Sequence, residues 1–154
     1  MAFLASQGSA KMPRGSPRGA SLEESPVLQL DFNKLTRAAG ACSGLLPVAV
    51  QNIDTGEVIL LAYTNRKAFS LAMQKRSLIL WSASRNELWE KGKTSGETFE
   101  LAEAYVNCEQ NALLYRVRPR RAGVCHTRNK ANKPRNCFYR RIDLDTLRLE
   151  NMDP

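Results

Sequence analysis

Apolar residues alternate with polar ones, or recur at helical spacing, along most of the chain. Two β-rich runs at 48–53 and 57–63 flank a turn at 54–56, and this pattern predicts a hairpin. Asn65 is predicted to cap a helix that continues to about Arg76, because apolar side chains in this segment recur every three or four residues. The chain is therefore expected to form a hairpin followed by one clear helix.

The rest of the chain predicts further strands and a long polar loop. Apolar or alternating runs predict strands at 77–82, 88–91, 98–108 and 112–117, a turn at 85–87, and a short edge strand at 137–142. Residues 119–136 are polar, basic and punctuated by glycine and proline, which predicts a loop. A short helix is expected near 31–41, with Asp31 or Asn33 as its cap. Together these elements predict an α+β fold, mainly antiparallel β-sheet with one clear helix.

The N-terminal end of the chain differs in composition from the rest. Residues 1–26 are rich in Ser, Gly, Pro and Ala and are expected to be a disordered N-terminal tail. Residues 27–142 are assigned to one domain and residues 143–154 to a C-terminal tail. No apolar run is long enough to span a bilayer, and few cysteines without a secretory signal favour the reducing cytoplasm. An organelle transit peptide within the N-terminal tail is the alternative.

Positive charge is concentrated in the second half of the chain. The 154 residues carry a formal charge of +8, and residues 110–142 contain ten basic residues and no acidic one. Such a field favours anionic partners, such as phosphorylated metabolites or nucleic acid. A solvated basic face explains the same composition. Nucleic-acid binding has no motif in its support, because the segment lacks the repeated aromatic residues on which single strands stack.

The basic segment and the strand before it hold three of the four cysteines and the only histidine. A catalytic zinc takes three protein ligands and one water, so Cys108, Cys125 and Cys137 suit such a site. The alternative is that they are small buried side chains, because their spacing lacks the close pairs of structural zinc sites. His126 directly follows Cys125 and is suited to proton transfer or metal binding. Cys42 lies apart and is expected to be a packed thiol.

The six residues at 91–96 are Lys-Gly-Lys-Thr-Ser-Gly and follow a predicted strand. Two glycines, two hydroxyls and two lysines suit a loop whose backbone N–H groups and side chains hold a phosphate. The order of the lysine and hydroxyl residues excludes a Walker A loop. An ordinary polar turn is the alternative interpretation of this short stretch.

The order of these motifs resembles the phosphoribosyl-AMP cyclohydrolase family, whose members open the adenine ring in histidine biosynthesis. The resemblance covers roughly residues 45–142. Its most specific part is Leu-Trp-Glu-Lys-Gly-Lys-Thr-Ser-Gly at 88–96, Cys-His-Thr at 125–127 and Cys-Phe-Tyr at 137–139. Further matches are Leu-Pro-Val-Ala-Val-Gln at 46–51, Thr-Gly-Glu-Val-Ile-Leu-Leu-Ala-Tyr at 55–63 and Ser-Ala-Ser-Arg at 82–85.

The resemblance implies an intertwined homodimer and a zinc ion bound by three cysteines from both subunits. The matching positions are Cys108, Cys125 and Cys137. The resemblance also implies Mg²⁺, held by the acids of an Asp-Cys-Asp-x-Asp run. This chain has Asn-Cys-Glu-Gln-Asn at 107–111, so Glu109 is the one carboxylate left for Mg²⁺. The two amides are expected to weaken that site greatly, because Mg²⁺ prefers anionic oxygen ligands.

The implied reaction is hydrolysis of phosphoribosyl-AMP at the N1–C6 bond by zinc-activated water, with His126 moving the proton. The substrate is thus a phosphorylated nucleotide, and no membrane partner is expected. Phosphate or ribose contacts are assigned to Arg85, Lys91, Lys93, Thr94 and Ser95, and the other phosphate to Arg128. One alternative is a diverged relative that keeps fold and zinc but acts on another nucleotide or on none. A second is a zinc-stabilised basic module that binds RNA.

Overall fold

The computed structural model describes residues 21–32, 37, 39–40, 42, 44–121 and 123–154, and they form two compact units. The larger unit comprises residues 31–139 and 153–154, and the smaller comprises the described residues up to Leu30 together with 140–152. Most of the helix predicted near 31–41 and most of the predicted N-terminal tail lie outside the described residues. No helix in the described part of the chain is long and apolar enough to cross a membrane.

A six-stranded sheet and a helix, α1, build the larger unit. The strands are β1 (Leu46–Asn52), β2 (Val58–Thr64), β3 (Ile79–Ser82), β4 (Glu87–Glu90), β5 (Phe99–Val106) and β6 (Leu113–Pro119), and the helix is Arg66–Lys75. The strand order is β4-β3-β2-β1-β6-β5, and every neighbouring pair is antiparallel except β1 and β6. The predicted α+β class with a mainly antiparallel sheet is confirmed.

The predicted hairpin and helix lie where the local sequence placed them. β1 pairs with β2 across a tight turn in which Gly56 has a φ of 76°, a conformation that glycine adopts without strain. The Asn65 side chain accepts a hydrogen bond from the Ala68 amide at 2.9 Å and so caps α1. The helix stops before Arg76, whose φ of 50° is left-handed. The structure of this part of the chain is therefore determined by residues close to each turn and helix end.

The core lies where α1 packs against β2 and β3 and continues under β5 and β6. Ala68 and Ala72 are fully buried, and their small side chains let the helix approach the strands closely. Phe99 and Tyr115 are the largest fully buried side chains. Burial raises the pKa of Tyr115 to about 12, so its phenol stays neutral. The parallel pairing of β1 with β6 places Val50 beside Tyr115 and joins the two halves of the sheet.

A short hairpin near the C-terminus forms the centre of the smaller unit. β7 (Arg140–Ile142) pairs antiparallel with β8 (Leu149–Asn151). The Asp143 carboxylate accepts hydrogen bonds from both the backbone N–H and the hydroxyl of Thr146. These two bonds lower the pKa of Asp143, the backbone bond having the larger effect. Both β8 and Ser25 belong to segments that the sequence-based domain assignment placed in tails. Strand pairing orders β8, and Ser25 is buried at 1% exposure.

Candidate active site

A cavity of about 530 Å³ opens beside β4 and the loop that follows it. His126 lies in its wall together with the five residues to which the sequence assigned phosphate or ribose contacts. These five are Arg85, Lys91, Lys93, Thr94 and Ser95. The fold therefore brings His126 to a group of side chains that is distant from it in sequence. The role of these residues in substrate binding stays a prediction.

The charges in the cavity wall are mixed. Glu87 and Glu90 on β4 line the same cavity, and Arg85 Nε lies 2.6 Å from a Glu87 carboxylate oxygen. Both side chains of this ion pair are more than half exposed, so water screens it. Sequence reasoning did not single out the two glutamates. The sequence feature that could have identified them is their position on the strand that leads into the lysine-containing loop.

The loop at 91–96 is a tight turn that its own backbone closes. The Gly96 amide donates to the Gly92 carbonyl at 2.7 Å, and the Lys93 amide donates at 3.2 Å to the last carbonyl of β4. These two amides already have acceptors within the protein. We therefore expect the lysine and hydroxyl side chains, rather than a cradle of backbone N–H groups, to supply most phosphate contacts.

Gly92→Ala is expected to destabilise the protein and distort this loop. Gly92 has a φ of 82°, and a Cβ there would lie 1.9 Å from the Glu97 carbonyl oxygen. The left-handed backbone alone costs about 1–2 kcal/mol for a residue with a Cβ, and the clash adds to this cost. Gly56→Ala is the matched control, because its φ is 76° but no atom lies within 4 Å of its added Cβ. Urea unfolding should show the Gly92→Ala protein to be the less stable of the two, and equal stability would contradict the clash.

Backbone pairing within the long basic loop holds Cys125, His126 and Thr127. The Cys125 amide donates to the Arg135 carbonyl at 3.0 Å, and the Arg135 amide donates to the Thr127 carbonyl at 3.0 Å. Thr127 Oγ1 donates to Cys125 Sγ at 3.3 Å, and His126 Nδ1 lies 3.8 Å from the same sulfur. His126 thus contacts the Cys125 thiol and also lines the cavity.

Arg135 anchors this loop from inside the larger unit. Its side chain is only 3% exposed, and Nε donates to the Asp153 carbonyl at 2.8 Å. Its guanidinium lies 4.5 Å from the centre of the Tyr139 ring. Sequence reasoning counted Arg135 only as part of the basic segment and missed this role. Arg135 explains how a polar segment without regular structure can be ordered.

Arg128 is not among the described residues that line the cavity. Its Nη1 donates to the Asn132 carbonyl at 2.9 Å within the loop. The structure therefore does not bring Arg128 together with the other residues assigned to phosphate contact.

The three cysteines assigned to zinc come from two stretches of the chain within the larger unit. Cys108 is exposed in the turn between β5 and β6, whereas Cys125 is half-buried and Cys137 is exposed in the segment that follows β6. Among the described residues, no group of three or more His, Cys, Asp or Glu side chains is close enough to hold a metal ion. Thiolate and imidazole are donors that Zn²⁺ prefers, so the residue types fit zinc. A single chain, however, does not assemble the set.

The residues at the magnesium positions do not fit that ion. Asn107 Nδ2 donates to Asn111 Oδ1 at 2.7 Å, and Asn111 Nδ2 donates to Glu109 Oε2 at 3.2 Å. Mg²⁺ requires oxygen ligands in a near-octahedral arrangement. Here N–H groups point at two of the oxygens that would have to supply it, and Glu109 is the only carboxylate among the three side chains.

Known proteins similar to this chain are phosphoribosyl-AMP cyclohydrolases and a bifunctional protein of histidine biosynthesis. A family model for phosphoribosyl-AMP cyclohydrolase matches residues 60–139. The phosphoribosyl-AMP cyclohydrolase of Hyphomonas neptunium is 38% identical over 125 residues, which are 81% of this chain and 85% of that protein. That of Archaeoglobus fulgidus is 41% identical over 105 residues, 68% of this chain and 92% of that protein. The histidine biosynthesis bifunctional protein HisIE of Thermus thermophilus is 43% identical over 99 residues, 64% of this chain and 44% of that protein.

Proposed function

Because the chain belongs to the phosphoribosyl-AMP cyclohydrolase family, whose members are hydrolases of a cyclic amidine, we propose that it hydrolyses phosphoribosyl-AMP in histidine biosynthesis. In the proposed reaction the water oxygen bonds to C6 of the adenine ring, the N1–C6 bond breaks, and N1 takes a proton. The observation that supports this proposal is the cavity in which His126 meets the lysine- and hydroxyl-containing loop.

The loop side chains suit the phosphates of this substrate. Lys91, Lys93, Thr94 and Ser95 line one cavity, and their ammonium and hydroxyl groups donate hydrogen bonds of the kind that phosphate oxygens accept. The Lys91 ammonium lies 5.7 Å from the centre of the Trp89 ring, and this contact restricts the positions that the ammonium group occupies. We assign the loop to binding a phosphate group of the substrate.

His126 is proposed to move the proton between the attacking water and N1. Zinc, held by Cys108, Cys125 and Cys137, would supply the Lewis acid that makes water a nucleophile near neutral pH. His126 contacts the Cys125 thiol and the cavity, so its imidazole is near both the proposed metal ligand and the proposed substrate. General acid–base catalysis of this kind contributes about 10²–10⁴-fold in rate.

We propose that the zinc ligands come from two copies of the chain in a homodimer. An apolar row crosses four strands, because Ala49 pairs with Leu61 and Leu114, and Leu114 pairs with Tyr105. Directly paired residues point to the same face of a sheet. Leu61 is 67% exposed and Tyr105 is 51% exposed. A second copy that covers this row would bury apolar surface and supply the thiols that one chain keeps apart.

A turnover assay with zinc-loaded protein and phosphoribosyl-AMP tests the proposed reaction. We expect conversion to the ring-opened product. AMP is the control substrate and should not react, because only the N1-ribosyl group makes C6 electron-poor. Absence of turnover by folded, zinc-loaded protein would instead favour the diverged relative. Salt-sensitive binding of polynucleotides without turnover would favour the RNA-binding module.

A further inference from the structure

The turn between β5 and β6, residues 107–112, is closed by its own backbone. The Asn107 amide donates to the Ala112 carbonyl at 3.1 Å, and the Gln110 amide donates to the Asn107 carbonyl at 3.0 Å. Gln110 has a φ of 56°, the left-handed conformation that lets the chain reverse. Cys108 lies in this turn and is exposed.

Two side-chain amides strengthen this closure. Asn107 Oδ1 accepts hydrogen bonds from the Asn111 and Ala112 amides, both at 2.9 Å. Asn107 Nδ2 donates to Asn111 Oδ1 at 2.7 Å. Asn111 Nδ2 in turn donates to Glu109 Oε2 at 3.2 Å. The side chains at alternate positions therefore form one continuous chain of hydrogen bonds that ends on a carboxylate.

Carboxylates at the two asparagine positions could not form this chain of bonds. An ionised carboxylate only accepts hydrogen bonds, so aspartate at Asn107 and Asn111 would remove both Nδ2 donors. Together with Glu109, three negative charges would then lie close together, and like charges in one site need a cation or a proton to neutralise them. In this chain, the two Nδ2 groups donate hydrogen bonds to the neighbouring oxygens, so no cation is needed to hold these side chains together.

We infer that this turn is ordered without a divalent cation. Asn107 and Asn111 hold Cys108 in position, a role that a bound Mg²⁺ ion would otherwise have. Asn107 is the central positioning residue, because its side chain makes three of the four hydrogen bonds, whereas the Asn111 side chain makes two. The inference concerns the order of the turn and its response to Mg²⁺. It therefore does not depend on turnover of phosphoribosyl-AMP.

Amide hydrogen exchange of zinc-loaded protein, dialysed free of Mg²⁺ without a chelator, tests the order of the turn. The Asn111 and Ala112 amides should exchange at least about tenfold more slowly than unprotected amides. Millimolar MgCl₂ should leave their exchange unchanged relative to KCl of equal ionic strength. Asn107→Ala should lose this protection, and Mg²⁺ should not restore it. Protection that appears in the parent protein only when Mg²⁺ is added would overturn the inference.

The double variant Asn107→Asp/Asn111→Asp tests the chemical reason. It restores a set of three carboxylates, so it should bind Mg²⁺ in calorimetry and gain about 3 °C or more in Tm on Mg²⁺ addition. The parent should show neither effect. Comparable Mg²⁺ binding by the parent would contradict the inference, as would a folded double variant that ignores Mg²⁺. If the double variant does not fold, the exchange experiment on Asn107→Ala decides the matter.

Discussion

Serine in place of Cys125 or Cys137 is expected to abolish zinc binding and to lower turnover of phosphoribosyl-AMP by about 10³-fold. Each thiolate is proposed to supply one of three protein ligands, and an alcohol is a much weaker ligand for zinc. Loss of the metal removes several kcal/mol of transition-state stabilisation, and about 1.4 kcal/mol corresponds to a tenfold change in rate. Zinc content per chain by mass spectrometry, measured beside the turnover rate, checks both effects.

Cys42→Ser is the matched control for these variants. Its thiol is buried and donates to Asn86 Oδ1, a bond that a serine hydroxyl can also make. Zinc content and turnover should therefore stay at the level of the parent. A full complement of zinc in the Cys125→Ser or Cys137→Ser protein would refute the proposed metal site.

Mixing two inactive variants tests whether the site is shared between subunits. Cys108→Ser and Cys125→Ser chains should each lack zinc when prepared alone. A mixed dimer would carry one intact site, formed by Cys108 of one chain with Cys125 and Cys137 of the other. Zinc and turnover should thus reappear when the two chains are unfolded and refolded together. Mixtures that stay inactive and metal-free, although they form dimers, would contradict the shared arrangement.

His126→Ala is expected to keep zinc but to lose about 10²–10⁴-fold in kcat. The imidazole contacts Cys125 and the cavity, so its loss removes the proposed proton carrier without removing a thiol ligand. His126→Asn is the second variant to measure, because asparagine keeps a polar side chain but cannot carry a proton near neutral pH. Both proteins should show parental zinc content and a defect mainly in kcat rather than in KM.

The outcome that would remove His126 from the mechanism is a kcat near the parental value in either variant with zinc bound. Loss of zinc in both variants would have a different meaning, because it would make the imidazole a metal ligand rather than a proton carrier. Zinc content therefore has to be measured on the same preparations as the rate.

Local sequence patterns predicted the hairpin and the helix well. The Asn65 cap and the end of α1 at Arg76 follow from the residues in their immediate neighbourhood. The turn at Gly56 also needs only its own residues to form. Each of these features depends on hydrogen bonds and backbone preferences within a few positions, so the sequence contains the necessary information.

Sequence patterns did not predict the contacts that organise the basic loop. Arg135 looked like one of ten interchangeable cations, but it is buried against Tyr139 and bonded to Asp153. Likewise, the parallel pairing of β1 with β6 could not be read from either strand. An alternating strand pattern shows which side of the strand is buried but does not identify its neighbour.

The amino-acid sequence by itself determined the α+β class, the capped helix and the ordered motifs that mark the family, because these depend on nearby residues and their order. Only the tertiary structure decided that His126 joins the loop after β4 in one cavity, and that the described part of one chain brings no three metal-binding side chains together. These arrangements result from packing between segments far apart in sequence. No local pattern specifies which distant segment a strand or loop will meet.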